Sequence, residues 1–160
     1  MRSEIEVNNA IKLYSDTMRR ICILHLKNYH DAEDICQTVF IKYMCSDIEF
    51  ESAEHEKAWI IRVTINACKD LLKSFFRSRT VNLNELICES DSVSSQSSEV
   101  LEAVLSLPPK YKNVIHLHYY EGYTAPEIAE ILGKNVNTVY TLLTRAKKLL
   151  KETLGGEELA

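Results

Sequence analysis

The sequence contains few of the residues that separate short β-strands, since only four glycines and three prolines occur in 160 residues. This scarcity favours long helices over many short strands. The sequence also lacks an uninterrupted apolar run of about 20 residues, and the residues after Met1 are polar. We therefore expect an all-α protein of the cytoplasm, with neither a membrane span nor a secretory signal.

The five cysteines include no pair in C-x-x-C spacing, and their number is odd. Both facts argue against a disulfide framework and against a zinc knuckle, so we expect reduced and mostly buried thiols. Cys22 and His25 lie three residues apart, which would allow a shared metal, but packing in a helical core is the favoured interpretation. We expect no metal site and no cofactor.

Sites typical of enzymes are also missing from the sequence. We find no glycine-rich phosphate loop and no nucleophile with a recognisable base, and His116 and His118 would point to different sides of a helix. We therefore expect no catalytic residues and no small-molecule substrate. The net charge of −4 further excludes a protein that coats nucleic acid through bulk charge, so any DNA contact must come from local basic patches.

The N-terminal half is predicted to form three helices, over about 6–27, 31–45 and 56–76, with an acidic loop at 46–56. Apolar residues at steps of three and four mark the buried face of the first helix: Ile11, Tyr14, Met18, Ile21 and Leu24 or His25. In the third helix the predicted core residues are Ile60, Val63, Ala67, Leu71 and Phe75.

Composition changes after residue 78, where serines and asparagines replace the periodic apolar residues. We assign 79–96 to a flexible linker between two small helical domains, 1–78 and 97–154, with a tail at 155–160.

In the second domain a helix is expected to begin near Glu99, with Val100, Val104 and Leu107 on one face, and to stop at Pro108. Pro109 suits the first turn of the next helix, 110–120, which Gly122 ends.

Residues 125–144 fit a helix-turn-helix motif. Its first helix is capped by Thr124 with Glu127 three residues later, its fifth position is the small residue Ala129, and its ninth is Gly133, where the turn needs a positive φ. The apolar positions that close the motif are Ile128, Leu132, Val136, Val139 and Leu142.

The second helix of the motif, capped by Asn137 and running to about 154, is the expected recognition helix. A buried stripe of Val139, Leu142, Leu143, Ala146 and Leu150 would leave one face for DNA. Basic residues at its far end suit phosphate contacts. The predicted DNA-binding residues are Asn137, Thr138, Tyr140, Thr141, Thr144, Arg145, Lys147 and Lys148, with Lys151 near them.

Taken together, these motifs resemble the sigma-70 family, in particular its extracytoplasmic-function (ECF) type. The resemblance covers about residues 8–77 and 97–154. Its carriers are 31–40 (DAEDICQTVF), 58–63 (AWIIRV) with Asn66, 107–108 (LP), 127–129 (EIA) and 137–139 (NTV). It implies a sigma factor that binds core RNA polymerase and directs promoter-specific initiation, with an N-terminal region 2 bundle and a C-terminal region 4 helix-turn-helix that recognises the minus-thirty-five element.

In this family the second helix docks on the clamp helices of the polymerase large subunit. The resemblance therefore assigns core binding to Asp34, Gln37, Thr38 and Ile41. These residues share one helix face, for which a solvated surface is the alternative.

The third helix of region 2 serves, by the same resemblance, to recognise and open the minus-ten element. Arg62, Asn66, Lys69 and Lys73 form one stripe that Arg77 extends. Phe50 occupies the loop that captures a flipped base in such proteins. For Trp59, core packing is favoured over base stacking.

The recognition helix departs from the family pattern: after the Thr-Val pair, family members usually carry a basic residue followed by Ser-Arg, whereas this chain has Tyr140, Thr141 and Leu142. We expect weak DNA affinity without polymerase. Two alternatives stay open: an autonomous helix-turn-helix regulator, and a polymerase-binding protein without promoter recognition. Many ECF sigma factors are held by an anti-sigma factor, which the resemblance raises as a further partner.

Overall fold

The computed structural model describes residues 1–78 and 99–155, and it describes side chains for 1–75 and 99–155. These ranges contain seven α-helices and no strand. The chain divides into two compact units, Met1–Ser92 and Val93–Ala160. The predicted linker at 79–96 lies outside the described residues, as do Cys88 and residues 156–160 of the tail.

The N-terminal unit consists of α1 (Glu4–Leu26), α2 (Tyr29–Cys45) and α3 (Ala53–Ser78). The first helix begins in a capping box: the Glu6 amide donates to Ser3 Oγ at 3.2 Å, and the Ser3 amide donates to Glu6 Oε2 at 2.9 Å. Only Lys27 and Asn28 separate α1 from α2. Lys27 adopts a left-handed conformation with φ 55°, and Asn28 caps α2. This short connection makes α1 and α2 a helical hairpin.

The core of this unit is built around the middle of α3, where Ile60, Ile61, Thr64 and Ile65 are all buried. Because the Thr64 hydroxyl donates to the Ile60 carbonyl at 2.7 Å, its oxygen is satisfied inside the apolar core. One face of α1 and one face of α2 also contribute to this core. Its α1 and α2 members include Ala10, Tyr14, Met18, Cys22, Ala32, Ile35, Val39 and Tyr43.

Three details of the N-terminal prediction were wrong. Ile11 is exposed, and Ala10 takes its place in the core. The loop after α2 ends earlier than predicted, because the Ser52 hydroxyl accepts from the His55 amide and starts α3 at Ala53. Ile61, Ile65 and other buried residues outside the predicted stripe show that α3 is buried over a wider arc than one stripe.

Cys22, Cys36 and Cys68 are buried in this core, whereas Cys45 is exposed. The Cys68 thiol donates to the Cys22 sulfur at 3.8 Å. A hydrogen bond to Cys22 and burial together raise the pKa of the Cys36 thiol. The buried position expected for most thiols is thus confirmed for these three.

The C-terminal unit consists of α4 (Glu99–Leu105), α5 (Pro109–Ile115), α6 (Ala125–Leu132) and α7 (Val136–Thr153). Pro109 lies in the first turn of α5 as predicted. The helix then continues in a π-helical turn, His116–Tyr120, in which the Glu121 amide donates to the His116 carbonyl at 3.0 Å. This π turn was not predicted, because neither apolar period nor residue type distinguishes it from an α-helical turn.

The apolar face of α7 forms the centre of the second core. Val139, Leu142, Leu143, Ala146 and Leu150 are all buried, which confirms the predicted stripe. They share this core with Val114 and Leu117, among others. In α4, however, Val100 is exposed and Ala103 is buried, so the predicted face was wrong at its start.

Candidate nucleic-acid interface

The helix-turn-helix begins with a reciprocal cap at Thr124. The Glu127 amide donates to Thr124 Oγ1 at 3.3 Å, and the Thr124 amide donates to Glu127 Oε1 at 2.9 Å, as the sequence predicts. Gly133 ends α6 with φ 67° and ψ 37°, the left-handed conformation expected of the ninth position. Ile128 and Ala129 are buried. The motif therefore has the local geometry that its spacing predicts.

The recognition helix α7 starts two residues earlier than predicted. Asn135 is its cap, because the Asn135 side chain accepts from the Asn137 amide at 2.8 Å. The prediction that Asn137 is the cap was therefore wrong. Asn137 instead lies in the first turn of α7, where its side chain is exposed and available to a ligand.

All eight residues assigned to the minus-thirty-five element have exposed side chains. They are Asn137, Thr138, Tyr140, Thr141, Thr144, Arg145, Lys147 and Lys148. The Thr141 hydroxyl donates to the Asn137 carbonyl at 3.0 Å, so its hydrogen is bonded within the helix although the residue is exposed. Tyr140, 54% exposed, lies beside it. The first half of this face thus offers an amide, a methyl group and an aromatic ring, whereas cations are confined to the second half.

A contact that the sequence did not predict joins the recognition helix to the π turn. The Lys147 ammonium lies 5.6 Å from the centre of the Tyr119 ring, within the range of a cation–π interaction. Tyr119 is half exposed. The contact orients Lys147, a predicted phosphate-binding cation. Because Tyr119 is distant from Lys147 in the sequence, the helical periodicity of α7 gives no signal for this contact.

The basic stripe on α3 is solvent-facing. Arg62, Asn66, Lys69 and Lys73 all have exposed side chains. Arg77 lies within α3, but its side chain is outside the described part of the chain. The exposed side of α3 also includes Asp70 and Ser74, so the stripe is part of a wider solvent-facing side of this helix.

Phe50, in the loop that precedes α3, belongs to an aromatic cluster and is only half-exposed. Its ring stacks on Tyr43 with centroids 6.3 Å apart, lies 5.7 Å from Trp59, and meets the edge of His55 at 5.2 Å. Trp59 also contacts Tyr43, at 6.3 Å, so the structure packs the Trp59 ring in this cluster. The loop therefore has an internal anchor.

Glu56 has a role that the sequence did not reveal. Its carboxylate accepts a hydrogen bond from Tyr14 at 2.8 Å and another from Tyr43 at 2.7 Å. One side chain of α3 thus joins α1 and α2. Burial and the bond to Glu56 raise the pKa of Tyr43 to about 12. Glu56 was predicted to belong to the acidic loop, but its carboxylate accepts from two phenols.

The four residues assigned to core-polymerase binding form an exposed face of α2. Asp34, Gln37, Thr38 and Ile41 are all exposed, and Ile41 is 57% exposed. Ile41 is the apolar member of this otherwise polar face. The Thr38 hydroxyl donates to the Asp34 carbonyl at 3.0 Å.

Within residues 1–78 and 99–155, no group of three His, Cys, Asp or Glu side chains is arranged to hold a metal ion. Over the same residues no helix combines the length and apolar character needed to cross a bilayer.

Two family descriptions match the chain, Sigma-70 region 2 over residues 10–79 and Sigma-70 region 4 over residues 97–150. Among curated proteins, RNA polymerase sigma factor SigV of Bacillus subtilis (strain 168) is 32% identical over 143 residues, covering 88% of this chain and 86% of the relative. ECF RNA polymerase sigma factor SigW of the same organism is 27% identical over 163 residues, covering 91% and 87%.

Two solved structures share the fold. The sigma factor RpoE, in complex with the anti-sigma factor NepR from Bartonella quintana, matches with a TM-score of 0.76 and 21% identity, covering 96% of this chain and 99% of that one. CnrH, in complex with the cytosolic domain of CnrY, matches with a TM-score of 0.67 and 19% identity, covering 98% and 92%.

Proposed function

Because this chain belongs to the sigma-70 family and to its ECF group, it acts with core RNA polymerase in promoter-specific transcription initiation, and we propose how its two units divide that work. The N-terminal unit, 1–78, binds the polymerase clamp helices and opens the minus-ten element. The C-terminal unit, 97–154, recognises the minus-thirty-five element. Residues 79–96 link them, and 155–160 form a tail.

The observation that carries the proposal for the C-terminal unit is the exposed face of α7. The opposite side of α7 is buried, and α7 follows a capped helix and a left-handed glycine. Such a helix can enter the major groove as a rigid element. Asn137 can pair with adenine through its amide, and Arg145 can pair with guanine. Lys147 and Lys148 neutralise phosphates.

For the N-terminal unit, the exposed stripe on α3 supports DNA contact, since Arg62, Lys69 and Lys73 place three cations on the solvent-facing side of that helix. Phe50 captures a base released from the non-template strand. Its packing on Tyr43 and Trp59 means that capture occurs at the edge of a preformed aromatic cluster rather than at an isolated ring.

The face of α2 that includes Ile41 is the proposed contact with the polymerase clamp helices. We also propose that the protein is cytoplasmic, has no catalytic activity of its own, and is restrained by an anti-sigma factor. The two structural neighbours were solved with such a regulator or with a cytosolic partner domain, which supports this last proposal.

The test is transcription in vitro by purified core polymerase, with and without this protein, on a library of promoter fragments, while core binding is measured in parallel. Initiation from a defined subset of fragments supports the proposal. Core binding without initiation would favour a protein that has lost promoter recognition. Promoter binding without polymerase would favour an autonomous regulator.

Matched variants assign the two surfaces. Ile41→Glu should weaken core binding, whereas Ile5→Glu, at another exposed isoleucine of the same unit, should not. Lys148→Ala should lower the slope of log affinity against log salt by about 0.9, the value for one lost phosphate contact. Lys12→Ala, which removes an exposed cation of α1, should leave that slope unchanged.

A further inference from the structure

Arg2, which precedes α1, contacts both the end of α2 and the loop before α3. Its side chain is only 12% exposed. Its Nε donates to the Tyr43 carbonyl at 3.0 Å, and a terminal nitrogen donates to the Ile48 carbonyl. The backbone amide of Arg2 also donates to the Met44 carbonyl, at 2.9 Å. One residue therefore ties the end of α2 to the loop that follows it.

These bonds satisfy carbonyls at the end of α2. The Tyr43 carbonyl also accepts from the Ser46 amide at 3.2 Å, whereas the Met44 carbonyl belongs to the last turn of α2, where no further helical amide can reach it. That turn is also the negative end of the helix dipole, which favours a cation. The guanidinium fork of Arg2 can serve two carbonyls at once, which a lysine ammonium on a single stem does with less geometric definition.

The same guanidinium covers the aromatic cluster. Its central carbon lies 4.5 Å from the centre of the Tyr43 ring and 5.0 Å from the centre of the Phe50 ring. The two rings are nearly parallel, with an angle of 8° between them. Since a cation over an aromatic face is attracted to it, Arg2 holds the Phe50 ring against Tyr43.

Arg2 also places a positive charge within an acidic loop. Asp47, Glu49 and Glu51 are exposed on the same segment that carries Phe50. Negative charge of this density opposes the approach of a DNA strand. The Arg2 guanidinium, which also pairs with Glu6 at 3.9 Å, offsets part of this charge beside the Phe50 ring.

We propose that Arg2 is a positioning residue for promoter opening: it fixes the loop 46–52 and the Phe50 ring in the conformation that captures an unpaired base. This inference rests on the proposed role of the N-terminal unit at the minus-ten element. Arg2 itself acts through the loop, by way of the Tyr43 and Ile48 carbonyls and the Phe50 ring.

The experiment compares Arg2→Ala and Arg2→Lys with wild type, using the full chain, tagged only at its C-terminal end and assembled with core polymerase. Arg19→Ala is the matched control, since Arg19 is another arginine that contacts α2, in its case from α1 through an exposed ion pair with Glu33 at 2.7 Å. Open-complex formation is followed on a fully paired promoter and on the same promoter with a pre-opened mismatched bubble. Thermal stability and core binding are recorded for every variant.

We expect Arg2→Ala to open the paired promoter about tenfold more slowly, a factor equivalent to about 1.4 kcal/mol. The bubble template should restore its activity. Its strands are already separated, so base capture no longer has to offset the free energy of melting. Arg2→Lys, which keeps the charge but not the fork, should fall between the two. Arg19→Ala should match wild type on both templates.

Equal losses on the paired and bubble templates would overturn the inference, because they would assign Arg2 a purely structural role. Wild-type opening rates in Arg2→Ala would overturn it too. If Arg2→Ala does not fold, Arg2→Lys decides by the same comparison of templates. Failure of the wild-type protein to open any promoter would instead count against the proposed function itself.

Discussion

Replacing Glu56 tests the interaction that joins the three N-terminal helices. Its carboxylate accepts from Tyr14 at 2.8 Å and from Tyr43 at 2.7 Å, and both bonds are partly buried. Hydrogen bonds to a charged group contribute about 1.5–3 kcal/mol each. Because these are only partly buried, the lower end applies, and Glu56→Ala should cost about 3 kcal/mol of unfolding free energy.

Glu56→Gln should cost less, about 1 kcal/mol, because the amide oxygen still accepts from one phenol and the amide nitrogen can donate to the other. Urea unfolding followed by circular dichroism gives both values. The melting temperature should fall by roughly 4–8 °C per kcal/mol if the N-terminal unit unfolds by itself. Glu54→Gln is the matched control, since Glu54 is exposed in the same first turn of α3 and shares the interaction with the helix dipole.

A double-mutant cycle separates the bond from general effects of charge. Tyr43→Phe should be costly in the wild-type background and nearly neutral once Glu56 is alanine, with a coupling of about 0.5–3 kcal/mol. Two results would refute the reasoning: equal losses for Glu56→Gln and Glu54→Gln, or a cost of Tyr43→Phe that does not depend on residue 56.

Three further predictions concern the turn, a phenol and the recognition helix. Gly133→Ala should destabilise the C-terminal unit by about 1–2 kcal/mol because φ is 67° there, and Gly133→Asn should cost less; equal costs in urea unfolding would contradict this. Since burial and the Glu56 bond raise the pKa of Tyr43 from 10.0 to about 12, its contribution to stability is complete below pH 10 and is lost as pH rises towards 12. The unfolding free energies of wild type and Tyr43→Phe should therefore converge as pH rises across that range. A difference that stays constant would contradict the predicted loss. Where a promoter thymine faces the exposed Thr141 side chain, replacing it by deoxyuracil should weaken binding about fourfold, from ~0.8 kcal/mol per methyl; Thr141→Ser should not discriminate, and a full effect in that variant would argue against methyl contact.

The sequence was most informative where a geometric requirement admits few residue types. The left-handed turn at Gly133, the reciprocal cap at Thr124 and Pro109 in a first helical turn were all predicted and are confirmed. The buried stripe of α7 was also predicted in full, because it is a regular apolar period on a long helix.

The prediction failed where either of two adjacent positions in a helix could have faced the core. Ile11 and Val100 are exposed, while the smaller Ala10 and Ala103 are buried at the adjacent positions. Because isoleucine and valine are stronger apolar signals than alanine, hydrophobicity alone selects the wrong neighbour. Similarly, Asn135 rather than Asn137 caps α7, since either asparagine suits a cap and only the backbone decides.

Parts of the site that depend on tertiary contacts could not be predicted. The sequence placed Glu56 in an acidic loop, because nothing local indicates that two tyrosines from other helices donate to it. Arg2 lies more than forty residues from its loop partners in the sequence. Apart from Phe50, which packs in the aromatic cluster, the predicted binding residues are solvent-facing wherever their side chains are described, but exposure alone does not assign them a ligand.

The π turn at His116–Tyr120 holds one residue more than an α-helical turn, because its hydrogen bonds span five residues instead of four. Deleting one residue there would leave a continuous α-helix rather than a break, so the chain can change length by one at this point and keep its backbone bonds. The deletion would instead rotate the residues that follow it about the helix axis, since each α-helical residue turns the chain by about 100°. Tyr119 and Tyr120, both exposed now, would be carried to another side of the helix, and the Tyr119 ring would move away from Lys147.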